Sequence, residues 1–148
     1  MSKLTKVKDW DISAFDHFLR VEAQQPFQWG VRDCCLFPAD AIKSFTGVDI
    51  ADDFRGKYTS EKTAFALIKS VTGTGTTVAD AAAHCATKYG LVENAHPLMA
   101  KRGDLVVIQN GSNLIAGIVH LNGREVVTTG PDGLVVLPIT AVVRSWSV

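Results

Sequence analysis

The chain is expected to form an α+β domain, N-terminal helices packed on a C-terminal antiparallel sheet of about five strands, and three observations predict this. Apolar residues recur at helical spacing through the first two-thirds of the chain. After Pro97 the period shortens to two and β-branched residues take over. The order, helices first and strands afterwards, is that of an α+β domain rather than of alternating βαβ units. With 148 residues, 47% hydrophobic and 20% charged, one core can bury roughly two-thirds of the unfolded surface. The chain reads as a single domain with an N-terminal helical extension (1–25), a helical half (26–100) and a sheet (101–148).

Ser13 with Asp16 resembles a capping box, and Phe15, Phe18 and Leu19 follow at helical spacing, so a helix is predicted over about 13–23. Pro26 and Gly30 mark a loop. Asp33 stands where a helix N-cap would lie, with Leu36, Phe37, Ala41, Ile42 and Phe45 running on to a stop at Gly47. Pro38 falls about five positions into that helix, where its missing N–H and its ring favour a bent or late-starting helix. Residues 48–59 lack a sustained period and suggest a surface connection. Ser60 caps a third helix with Ala64, Phe65, Leu67, Ile68 and Val71 inward. Thr77 with Asp80 caps a fourth, with Val78, Ala81, Ala82, Cys85 and Tyr89 inward and Gly90 closing it. Residues 72–77 form a flexible turn without the lysine of a phosphate loop. Strands follow at Leu105–Ile108, Leu114–Leu121, Glu125–Thr129, Leu134–Pro138 and Val142–Trp146, divided by turns at Asn110-Gly111, Asn122-Gly123 and Pro131-Asp132-Gly133.

Fifteen basic residues balance fifteen acidic ones, which leaves no electrostatic footprint for nucleic acid and makes an anionic membrane a poor partner. No stretch is long enough to span a bilayer, and the N-terminus lacks the apolar run of a signal peptide. Three cysteines, two of them adjacent, do not make a disulfide framework, so synthesis in a reducing cytoplasm is expected. Asp49, Asp52 and Asp53 lack the glycine and terminal Glu of a calcium loop, and His84-Cys85 lacks a zinc spacing. No metal or cofactor is expected. Trp10, Trp29 and Trp146 read as core or interface anchors.

The chemistry concentrates at Trp29–Asp40. A thiol just inside a helix N-terminus meets amide donors and the positive end of the macrodipole, which favour a thiolate. Cys34 is therefore the candidate nucleophile, with Asp33 as the helix N-cap. The alternative is a small buried residue that packs the helix start against the sheet, with Cys35 turned inward if the helix bends.

Asp33-Cys34 opening a helix, then Arg102-Gly103-Asp104-Leu105-Val106-Val107, then Ala116-Gly117-Ile118-Val119, resembles the NlpC-type peptidases of the papain-like superfamily. The Trp-Gly-x-x-Asp-Cys-Cys start and the Ser-Trp-Ser-Val ending resemble small tail-associated proteins of phages and prophages. The first resemblance implies a thiolate that attacks an amide of peptidoglycan, a histidine base on the second strand and a polar residue orienting it. The family's histidine position falls on Ile115 and the orienting position near Val127, both apolar. Of the four histidines, His120 is the best substitute base; His84, His17 and His96 have no stated reason to meet Cys34. The expectation is a degenerate NlpC-type domain serving as a structural or assembly component of a phage tail tip. It would be made in the host cytoplasm, carried on the virion and partnered by other tail-tip proteins. The alternatives are an active cysteine peptidase that cleaves host peptidoglycan, and a non-catalytic cell-wall binder.

Overall fold

The computed structural model describes residues 4–148. Helices pack on one face of an antiparallel sheet, as the change of periodicity predicts. A π-helical turn, Trp10–Phe15, runs into α1, Asp16–Arg20, and a 3-10 turn, Glu22–Gln24. α2 spans Phe37–Thr46, α3 Glu61–Thr72 and α4 Val78–Lys88. The strands are β1 Val92–Glu93, β2 Leu105–Asn110, β3 Asn113–Val119, β4 Glu125–Gly130, β5 Gly133–Pro138 and β6 Val142–Ser147. Their order in the sheet is β1-β6-β2-β3-β4-β5.

The meander β2 to β5 follows the turns read from the sequence, and β6 returns to pair with the outer side of β2. The strand that sequence reading omits is β1, two residues long and paired with β6. Both faces of the sheet are buried at its central strands, which is why β2 reads as a continuous apolar run. Leu105, Val107, Ile118, Val127 and Trp146 face the helices. Val106, Ile108, Val119, Val126 and Val142 form a second core with Leu137, Ile139 and Ala100. Those partners come from the strands, the 3-10 turn Ile139–Ala141 and the loop before β2, so the sheet is closed on that side by its own connections.

Several boundaries differ from expectation for physical reasons. The first helical segment begins at Trp10, three residues early, and Ser13 lies inside it with its N–H bonded to the Asp9 carbonyl. Trp10 stacks near Phe15 and packs 4.9 Å from Phe45, and that aromatic contact outweighs the local Ser13/Asp16 signal. The stretch 48–59 is no surface connection: Ile50, Ala51, Phe54 and Tyr58 are buried in the helical core. Its acids are paired, Asp49 with Arg55, Asp52 with Lys88, and Asp53 with both Lys88 and His84. Phe65, expected inside, is 39% exposed, because α3 turns only the Ala64/Ile68 line fully inward. The caps of α3 and α4 form as read, each a reciprocal box through Thr63 and Asp80.

Candidate functional site

The stretch around Cys34 is built on Asp33, which is fully buried. Its Oδ1 accepts from the backbone N–H groups of Cys35 and Leu36, each at 2.9 Å. Its Oδ2 accepts from Gly30 N–H at 2.8 Å and from the Tyr58 hydroxyl at 2.6 Å. Gly30 is required here twice over. Its φ is +81°, and a Cβ would stand 2.1 Å from the Tyr58 carbonyl oxygen, so only glycine lets the two backbones touch.

This arrangement corrects the placing of Asp33 as the N-cap of α2. The regular helix begins at Phe37, with Leu36 as its flanking residue and Pro38 in its first turn. A missing N–H costs nothing in a first turn, so the late start resolves the awkwardness of Pro38. Asp33 instead caps the turn that leads into α2, with Phe37 N–H bonded to its carbonyl. The local signature of the two geometries is the same, an Asx side chain accepting from amides two and three residues on. The sequence alone therefore does not separate them.

Cys34 is half-buried and Cys35 points inward. The Cys34 thiol is held below its ordinary range, first by a hydrogen bond from Cys35, while burial and the Asp33 carboxylate oppose that shift. The same contact, together with burial, pushes Cys35 well up. The shift toward the thiolate form at Cys34 thus has a neighbouring thiol rather than a helix terminus as its main cause. Burial and Asp33 likewise raise the Tyr58 phenol. Cys35 and Cys85 line one narrow apolar cavity of about 30 Å³ between α2, α3, α4 and the sheet.

No histidine is brought to Cys34. His120 follows β3, where its Nδ1 accepts from Asn122 N–H and its backbone N–H donates to Glu125. That end of the sheet abuts Gly103, beside Phe45 and Trp10 near the end of α2, while Cys34 precedes the start of α2. A helix of ten residues separates them, about 15 Å at the usual rise. His84 is bonded to Asp53 at 2.9 Å; His96 caps a short 3-10 turn through its Nδ1, and His17 is exposed. Ile115 packs with the second core, on the sheet face turned away from the helices, and Ala116 is the β3 residue that reaches the cavity beside Cys35. Val127 does face the helices.

Two features escaped sequence reading. Tyr58 closes the Asp33 network from 25 positions away, with no local signal. A groove of about 580 Å³ opens on the other side of the same stretch, where Arg32, Phe37 and Asp40 meet Arg55 and Thr129. Asp40 pairs with Arg55 at 2.7 Å, yet burial raises its carboxyl above the usual range. Comparison with curated proteins and with solved structures returns no match. Residues 5–148 match the family model described as Domain of unknown function (DUF6950), and the chain belongs to that family.

Proposed function

We propose that the chain is a non-catalytic structural or assembly protein of a phage tail tip, built on an NlpC-type scaffold that lacks a general base. The observation that carries this reading is the company of Cys34. The groups that shift its thiol most are the Cys35 thiol, the backbone at Cys34 and the carboxylates of Asp33 and Glu61. Cysteine peptidases need an imidazole within about 3 Å of the sulfur, or looser in the free enzyme. The helix-facing side of β3 and β4 offers Ala116, Ile118 and Val127 instead. The tail location is supported by the motif resemblance, Trp29-Gly30 and Asp33-Cys34-Cys35 at the start and Ser145-Trp146-Ser147-Val148 at the end.

The purified protein, incubated with peptidoglycan, is expected to release no more new amines than its Cys34→Ala variant. Release that depends on Cys34 would overturn the reading. Mass spectrometry of purified virions is expected to find the protein in the tail fraction, and its absence there would remove the assembly role. The lowered Cys34 thiol is on the side of an active peptidoglycan amidase, and the amine-release assay decides between the two.

A further inference from the structure

The two edges of the sheet are built differently. β1 is two residues long, and its Glu93 is ion-paired with Arg144 at 2.8 Å, so that edge is short and charged, two of the devices by which sheets discourage further pairing. β5, at the other edge, has neither. It runs for six residues against β4 without a register shift, and no charged residue lies between Gly133 and Ile139. Backbone bonds of an antiparallel pair alternate between inward and outward residues. The Ile139 N–H donates to the Arg124 carbonyl at 2.9 Å, and counting back from that bond turns the backbone groups of Pro138, Val136 and Leu134 away from β4. Pro138, which has no N–H to offer, falls on the outward set, where no donor is lost. Among the described residues, no hydrogen bond reaches β5 from any element but β4. The side chains repeat the pattern. Val136 stands opposite Val127 on the helix-facing side of the sheet, yet the helices do not cover it: Val136 is 49% and Leu134 37% exposed.

We infer that β5 pairs antiparallel with β5 of a second copy of this chain, Leu134 opposite Val136 of the other copy, so that two sheets join into one across a two-fold axis. The strand is its own complement. In this register the outward backbone groups of Leu134 and Val136 in one copy meet those of Val136 and Leu134 in the other, and each pair exchanges both N–H···O bonds. Residues directly opposite in an antiparallel pair share a face, so the exposed Leu134 and Val136 side chains cover each other across the axis, an apolar β-branched contact of the kind that stabilises sheets. A second copy suits this edge better than a foreign strand. The edge carries no charge by which to select another sequence, whereas its own neutral sequence can face itself with no like charges opposed, as an isologous contact requires. The inference does not depend on the tail assignment, nor on whether Cys34 reacts.

The test is sedimentation velocity of the full chain over a range of concentration. A strand pair of this length is smaller than a standard interface, so dimer is expected to build up between about 10 μM and about 1 mM. Val136→Lys and Leu134→Glu are each expected to weaken dimerisation at least about tenfold. Both side chains are exposed in the single chain, and far-UV circular dichroism checks that the fold is kept. Mixed in equal amounts, the two variants are expected to recover the dimer, because charges of opposite sign then face each other across one Leu134/Val136 pair. A chain that stays monomeric over the whole range, a dimer indifferent to both substitutions, or a mixture that recovers nothing would overturn the inference. A monomer whose β5 amides shift on addition of a valine-threonine hexapeptide would assign the edge to a foreign strand and overturn it equally.

Discussion

Asp33 shows how one side chain can decide the conformation of a stretch. A buried carboxylate is costly unless its lone pairs are filled, and here three backbone N–H groups and the Tyr58 hydroxyl fill them. Asp33→Ala removes the acceptor and strands all four donors, so it is expected to cost about 3–5 kcal/mol. Tyr58→Phe removes a single donor and is expected to cost about 1.5–3 kcal/mol. Urea denaturation of both variants checks the order; a Tyr58 loss equal to or above that of Asp33 would contradict it. At this scale the sequence announced Asp33 and Gly30 through their spacing, whereas Tyr58 was hidden, because its partnership exists only once residues 48–59 fold inward.

Among the elements, α4 shows what local chemistry can achieve. Thr77 accepts from Asp80 N–H at 3.3 Å, and Asp80 Oδ2 accepts from Thr76 and Thr77 N–H at 2.9 and 3.0 Å. Those bonds also hold the Asp80 carboxyl below its usual range. Thr77→Ala is expected to destabilise the fold by about 1 kcal/mol, measured as a lower urea midpoint with an unchanged slope; no change in midpoint would mean that the box contributes nothing. The caps at Ser60 and Thr77 were readable because donor and acceptor lie within three residues. So were the strands β2 to β5, whose turns carry Asn-Gly and Asp-Gly signals. Asp33 was misplaced as the N-cap of α2, because an Asx-capped turn and a helix N-cap share one signature, whereas Pro38 did signal the late start at Phe37. β1 was invisible because two residues carry no period, and their only reason to be extended is β6, more than fifty positions later. The candidate base at His120 failed for the same kind of reason: strand alternation gives a face, but only the packed structure gives the end of α2 against which that strand finishes.

At the scale of the whole molecule, the helical core and the sheet meet around Cys85, 7% exposed and pushed up to about 12, first by burial and then by the acids of the 49–53 stretch. The thiol stays protonated in the folded state when the unfolded chain has already lost its proton. Its contribution to stability is therefore complete below the unfolded value of 9.0 and is lost as pH rises toward about 12. Cys85→Ala is expected to lose less stability than the parent chain between roughly pH 8 and 10.5, read from denaturation midpoints at the two pH values. Parallel losses would show that the thiol takes no part. The position of β6 has a different consequence, one of timing. This last strand lies inside the sheet, between β1 and β2, and Trp146 belongs to the core under the helices. During synthesis the apolar faces of α2 and α4 leave the ribosome long before the surface that covers them. Among the described residues, β1 has no strand to pair with until β6 emerges. Until β6 emerges, the nascent helical half is accordingly the form most exposed to aggregation and to chaperone capture.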